Sequence, residues 1–202
     1  MTKVGVIVIG KGQRMRAVEA LTRAFQQDPM WSCVLPDERA RAEALRSMWD
    51  ALIGFSRVYG RAYTTPAGEG AACWVAPGNT KMTLWKMIRT GMGLARSMMR
   101  LPKDARHRFF EMMRFIDRRH TDLMPEPHWY LWLLGVDPES QGRGIGGRLL
   151  APVLSEADIP CYLETQTESN VAFYRKRGFQ VVRQDREPVC GLPIWFMVRP
   201  PR

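Results

Sequence analysis

The chain has 202 residues, of which 46% are hydrophobic, and a formal net charge of +10. That length and apolar content are enough for one good core, which argues for a single globular domain over residues 1–202 and against a disordered chain. The opening apolar stretch at residues 4–9 is too short for a secretory leader or a membrane span, so a cytoplasmic location is expected.

In chain order, residues 4–9 read as a first strand. A helix follows from Met15 to Gln27, with Val18, Leu21, Thr22 and Phe25 at helical spacing, and the run at Asp28 and Pro29 ends it. A second helix spans Asp37 to Tyr59 and carries Leu45, Met48, Trp49, Leu52 and Phe55 on one face. Residues 61–77 form two β-rich runs around a Pro/Gly turn, the pattern of a hairpin. From Thr80 to Arg119 the pattern is helical, broken at Leu101–Pro102. Residues 128–136, HWYLWLLGV, are apolar on both faces, as a central buried strand should be. After a glycine-rich stretch come a helix with Leu149, Leu150, Val153 and Leu154, a strand at 160–165, a short helix ending at Gly178, and two closing strands.

The positive charge is unevenly placed. Between Lys81 and Arg119 eleven Lys or Arg stand against three acids. A pair of helices covering the sheet accounts for this segment; a lid over a substrate site, helped by bends at Gly91, Gly93 and Pro102, and an anionic-surface contact are the alternatives. Neither nucleic acid nor membrane is expected as a partner. Cys33, Cys73, Cys161 and Cys190 lie far apart, with no C-x-x-C pair and no His at ligand spacing. Four buried free thiols are therefore expected, with no disulfide and no metal site.

Residues 138–150, PESQGRGIGGRLL, contain two overlapping signatures. Gly142, Gly144 and Gly147 spell the dinucleotide pattern G-x-G-x-x-G, while Gln141, Gly144 and Gly146 spell Q-x-x-G-x-G. In a dinucleotide fold the first glycine ends the strand, whereas here Asp137 to Gln141 intervene, and too few residues follow Glu164 for the rest of a doubly wound sheet. The other pattern needs main-chain N–H groups converging on a pyrophosphate at a helix start, with glycines removing the Cβ atoms in the way. Arg143 and Arg148 add positive charge nearby.

LGVDPESQGRGIGGRLL, then YLET, then NVAFYRKRGF, taken in that order, resemble the core of the GNAT superfamily of N-acetyltransferases, in particular the branch that includes puromycin N-acetyltransferase. The motifs cover residues 127–202. The resemblance implies an α/β (α+β) GNAT fold: a mixed, mostly antiparallel sheet flanked by helices and splayed between the strands at 128–136 and 160–165. Residues 1–127 would supply the acceptor side and helical cover, and 128–202 the acetyl-CoA-binding core. It also implies acetyl-CoA as co-substrate, no metal, a small-molecule amine as acceptor and, as in many members, a homodimer. By the same resemblance Leu134, Gly135 and Val136 would offer backbone groups to the pantetheine arm. Gln141, Gly142, Arg143, Gly144, Ile145 and Gly146 would hold the pyrophosphate, Asn170 would bond the cofactor near its amides, and Tyr174 would be the general acid.

A phenol is a reasonable donor to a departing thiolate, since their pKa values are close. The alternative for Tyr174 is a packed aromatic beside Phe173. Glu164, at the end of its strand, is a candidate to take a proton from the amine, or else a structural strand-end group. Asp28 and Trp31, with Trp49 and Tyr63, are candidate acceptor-pocket residues, although core packing explains Trp49 better. Acetylation of a protein lysine or N-terminus, and a non-catalytic coenzyme A sensor, are the competing functions.

Overall fold

A computed structural model describes residues 5–201; Val4, assigned above to the first strand, lies outside them. That strand is short, β1 (Ile7–Val8), and α1 (Lys11–Phe25) begins directly after Gly10, four residues before the expected Met15. The sequence DPMW both stops α1 and starts an unexpected helix, α2 (Pro29–Val34). Pro29 occupies its first turn and Asp28 caps it, accepting from the Trp31 amide at 3.1 Å. Helix α3 (Glu38–Tyr59) is capped in the same way by Asp37, which accepts from the Ala40 amide at 2.7 Å. The hairpin is β2 (Gly60–Thr64) and β3 (Gly70–Val75).

The basic segment divides into three helices, α4 (Leu84–Arg89), α5 (Gly93–Arg100) and α6 (Lys103–Leu123). Pro102 makes the expected break, and Met92, at φ +57°, makes a second between Gly91 and Gly93. Then follow β4 (Trp129–Val136), α7 (Ile145–Glu156), β5 (Cys161–Thr165), α8 (Glu168–Arg175), β6 (Gln180–Arg186) and β7 (Pro193–Arg199).

All seven strands join one sheet in the order β1-β2-β3-β4-β5-β7-β6. Every neighbouring pair is antiparallel except β4 and β5. One face packs against α1, α2, α3, α5 and α6, through Val18, Leu21, Trp31, Leu45, Trp49 and Met112 among others. The other face packs against α7 and α8, through Leu149, Leu150, Val153, Val171 and Tyr174. Side chains alternate along β5 accordingly: Tyr162 joins the first core, Cys161 and Leu163 the second. At Gly135 a Cβ would fall 2.8 Å from both Leu21 and Phe25, so the missing side chain is what lets α1 cross the end of β4.

The cysteines correct the expectation of four free thiols. Cys33 of α2 and Cys190 of the β6–β7 loop form a disulfide with Cα atoms 6.2 Å apart, across 157 residues of sequence. Only Cys73 and Cys161 are free among the described residues, and both are buried. Burial, opposed in part by the Ser56 hydroxyl, pushes the Cys73 thiol up to about 12, which makes it inert.

Candidate active site

Strands β4 and β5 share only two register pairs, Trp129 with Cys161 and Tyr130 with Tyr162. Beyond them the strands part, so Leu133 to Val136 have no ladder partner on the β5 side. A bulge assists: Cys73 of β3 faces Leu133 and Trp74 faces Leu131, which leaves Trp132 as an extra residue that bends β4. The result is a gap in the middle of the sheet, bounded by the C-terminal ends of two parallel strands.

The glycine stretch lies at one end of this gap. Asp137 is fixed by Arg23 of α1, whose Nε donates at 3.0 Å, and that hydrogen bond holds the Asp137 carboxyl below its ordinary range. Gln141 Nε2 donates to the Val136 carbonyl at 3.1 Å, tying the loop back to its strand. Gly142 and Gly144 sit at φ +74° and +72°, left-handed backbone that glycine alone adopts without penalty. Gly144 is the N-cap of α7. Among the described residues, the main-chain N–H groups of Gly142 to Gly147 donate to nothing, and the first bond of the helix runs from the Arg148 amide to the Gly144 carbonyl. Six free donors at a helix start form a receptacle for an anion.

The charge around this loop differs from expectation. Arg143 turns away and pairs with Glu69 at 3.0 Å. Arg148 does lie over the loop, since a Cβ on Gly144 would come within 3.3 Å of its Nη1. Its Nε is buried without a partner. Arg177, which the sequence reading passed over, stacks 3.5 Å above the Phe173 ring and reaches over Gly147, where a Cβ would meet its Nη2 at 2.5 Å. Burial lowers the Arg177 pKa, and among the described residues no acid pairs with Arg148 or Arg177. These two guanidiniums are therefore the positive charge available to a pyrophosphate.

Two titratable groups flank the gap from opposite faces. Tyr174 of α8 is buried beside Phe173 and Phe179, with ring centroids at 5.1 and 5.7 Å. Its hydroxyl makes no hydrogen bond among the described residues. Burial raises its pKa, the Arg177 charge opposes that, and the Glu164 carboxylate adds to it. Asn170, at the start of α8, donates to Thr165 Oγ1 at 3.1 Å and so fixes the end of β5 to that helix.

Glu164 shares the face of Tyr162. Its Oε1 accepts from the Tyr130 hydroxyl of β4. Among the described residues its Oε2 and the Tyr162 hydroxyl two residues back are buried without a hydrogen bond of ordinary geometry, yet the two groups are near enough for the hydroxyl to favour the carboxylate. Burial pushes the Glu164 carboxyl up to about 7; the tyrosine hydroxyls hold it lower than burial alone would, and Asp117 adds a small upward push. Below it His120 stacks on Tyr162 at 4.4 Å, and its Nε2 lies 2.7 Å from Nε2 of His128. Burial, followed by the neighbouring His128, drives His120 down to about 4, so the ring is neutral at pH 7. Tyr130, Tyr162 and the histidine pair were not singled out in the sequence. The Tyr162–Glu164 spacing was readable as one strand face, but Tyr130 joins them only through the parallel register.

The first-half candidates land elsewhere. Asp28 is the α2 cap, and Trp31 is 3% exposed between Trp49 and Phe109, at 5.6 and 5.5 Å. Trp49 lies in the same core, and Tyr63 is buried on the opposite face of the sheet.

Residues 107–181 match the profile of the acetyltransferase (GNAT) domain. Over 200 aligned residues the chain is 26% identical to an uncharacterised N-acetyltransferase of Schizosaccharomyces pombe, covering 92% of this chain and 79% of that protein. A Corynebacterium glutamicum structure described as histone acetyltransferase HPA2 and related acetyltransferase superimposes with a TM-score of 0.66 at 20% identity, covering 98% of this chain and 96% of that one. Arylalkylamine N-acetyltransferase 2 of Aedes aegypti does so with a TM-score of 0.65 at 12% identity, over 98% and 99%. The fold is the GNAT fold.

Proposed function

We propose that this GNAT-type N-acetyltransferase transfers an acetyl group from acetyl-CoA to a primary amine of a small molecule, by direct attack within a ternary complex. The observation that carries the reading is the gap between β4 and β5, with six main-chain donors at one end that are free among the described residues.

The residues fit acetyl-CoA. The N–H groups of Gly142 to Gly147, with Arg148 and Arg177, would hold its pyrophosphate, and the unpaired β4 edge from Leu134 to Val136 would hold the pantetheine as an added strand does. Bound there, the group supplies an activated acetyl carbonyl and a thiolate leaving group. Glu164, half ionised near neutral pH, takes the proton from the incoming ammonium through Oε2, directly or by way of a water. The amine nitrogen then forms its bond to the carbonyl carbon as the C–S bond breaks. Tyr174 would give its phenolic proton to the sulfur, the newly acylated nitrogen would return its extra proton to that phenolate by way of water, and a main-chain N–H of the parted β4 edge would steady the carbonyl oxygen as charge develops on it.

On the Tyr162 face of the gap Tyr130 packs against Trp132 and Tyr162 and donates to Glu164, which sets one acid beside an aromatic cluster. One carboxylate among aromatic rings suits an apolar monoamine better than a polycation, in keeping with the resemblance to the puromycin N-acetyltransferase branch. The test is thiol release from acetyl-CoA against aryl-alkyl amines, polyamines, puromycin and a lysine-rich histone-tail peptide. Turnover of the apolar monoamines with the highest kcat/KM supports the reading. Preference for the peptide makes the chain a protein acetyltransferase, and coenzyme A binding without turnover makes it a sensor.

A further inference from the structure

Helix α4 buries none of its residues. Leu84, Trp85 and Ile88 are 63%, 67% and 51% exposed, and at helical spacing they fall within an arc of about 100°. The helix is nevertheless held in place: Lys86 Nζ donates to the carbonyls of Asn79 and Lys81 at 3.0 and 3.1 Å and lies 5.5 Å over the Tyr59 ring. Met99 of α5 adds a further large exposed apolar side chain, 67% open.

The charge of the same segment is also uncompensated. Elsewhere arginines are paired, Arg14 with Asp50, Arg46 with Glu19, Arg114 with Glu111 and Arg119 with Asp185. Among the described residues, no acid pairs with Lys81, Arg89, Arg96, Arg100, Lys103 or Arg106. The hydrogen bonds of Arg96 to the Gly91 carbonyl and of Arg106 to the Met99 carbonyl leave both charges uncancelled.

We propose that α4 and α5 form a docking surface for an anionic lipid bilayer, in which the Leu84–Trp85–Ile88 face enters the headgroup boundary while the surrounding cations meet acidic headgroups. No described helix is long and apolar enough to cross a membrane, so the contact is peripheral. A second copy of the chain is disfavoured, because a two-fold contact would set the unpaired cations of one copy against those of the other. Duplex nucleic acid would use the cations but leaves Leu84, Trp85 and Ile88 without a role. A bilayer interface uses both, and tryptophan suits its headgroup level.

The experiment is co-sedimentation of the full chain with vesicles of phosphatidylcholine alone, and with vesicles about one third phosphatidylglycerol, at low and physiological salt. The wild type is expected on the anionic vesicles only, more weakly as salt rises. Arg89→Glu with Arg96→Glu lowers the partition coefficient by at least about thirtyfold. Trp85→Ser with Ile88→Ser lowers it by roughly as much. All four positions are exposed and outside the active site, so thiol release in the absence of vesicles stays at the wild-type rate. Absence of binding at low salt, equal binding to neutral vesicles, or wild-type binding by the Trp85/Ile88 variant overturns the proposal. So does duplex DNA binding that outcompetes the vesicles and is unaffected by that variant.

Discussion

Replacing Glu164 by Gln separates the fold's interest from the catalyst's. The carboxyl sits near pH 7 in the fold against an ordinary value of 4.5, because burial disfavours its charged form. The folded chain therefore binds more protons than the unfolded chain between those two values. Stability falls as pH rises through that window, and the cost is complete above about pH 7. At 1.36 kcal/mol per decade the penalty is about 3 kcal/mol. Gln mimics the protonated form: its Oε1 still accepts from Tyr130, and its Nε2 faces the orphaned Tyr162 hydroxyl, which accepts. Glu164→Gln is thus expected to match the wild type in denaturant unfolding near pH 4 and to exceed it by up to about 3 kcal/mol at pH 8. In kinetics the wild-type kcat/KM bends near pH 7 and falls about tenfold per pH unit below it, whereas the variant loses the bend and at least about 10²-fold in rate. Parallel stability curves across pH, or a bend that survives in the variant, would refute the reasoning.

Three further outcomes follow from the geometry. Tyr174→Phe removes a hydroxyl with no internal partner, so kcat should drop about 10²-fold or more while the KM for acetyl-CoA and the melting temperature hold; steady-state kinetics and thermal melts check both. Gly144→Ala forces a Cβ into φ +72° at the mouth of the donor array, costing roughly 1–2 kcal/mol and raising the KM for acetyl-CoA more than that for the amine. Cys33→Ser should lower the unfolding free energy of the oxidised protein by about 2–4 kcal/mol, a difference that vanishes when the wild type is measured under reductant.

The second half of the chain was readable because its signals are local. Continuous apolarity marks β4, free donors need only the glycines before α7, and Glu164 falls at a strand end. What the sequence hid depends on contacts between distant segments. Cys33 and Cys190 meet only when α2 packs under the β6–β7 loop, and no spacing rule reaches across 157 residues. Asp28 and Trp31 are expected near an acceptor pocket as an acid and an aromatic wall suited to an apolar amine; that DPM also begins a helix, with Asp28 as its cap, becomes visible only in the fold. The surroundings of the glycine loop were hidden for a similar reason: Glu69, on the distant hairpin turn, pairs with Arg143, and the side-chain space above Gly147 goes to Arg177. The Trp132 bulge, which helps to open the sheet, is likewise a property of β3 against β4 and of neither strand alone.

The most direct test of transfer through this gap is mass spectrometry after incubation with isotope-labelled acetyl-CoA and the amine that releases thiol fastest. The account predicts label on the amine nitrogen of the product, none on the protein at any time point, and no product with Tyr174→Phe on the same timescale. Label on a protein side chain before it reaches the amine, or wild-type product formation by the variant, would contradict it.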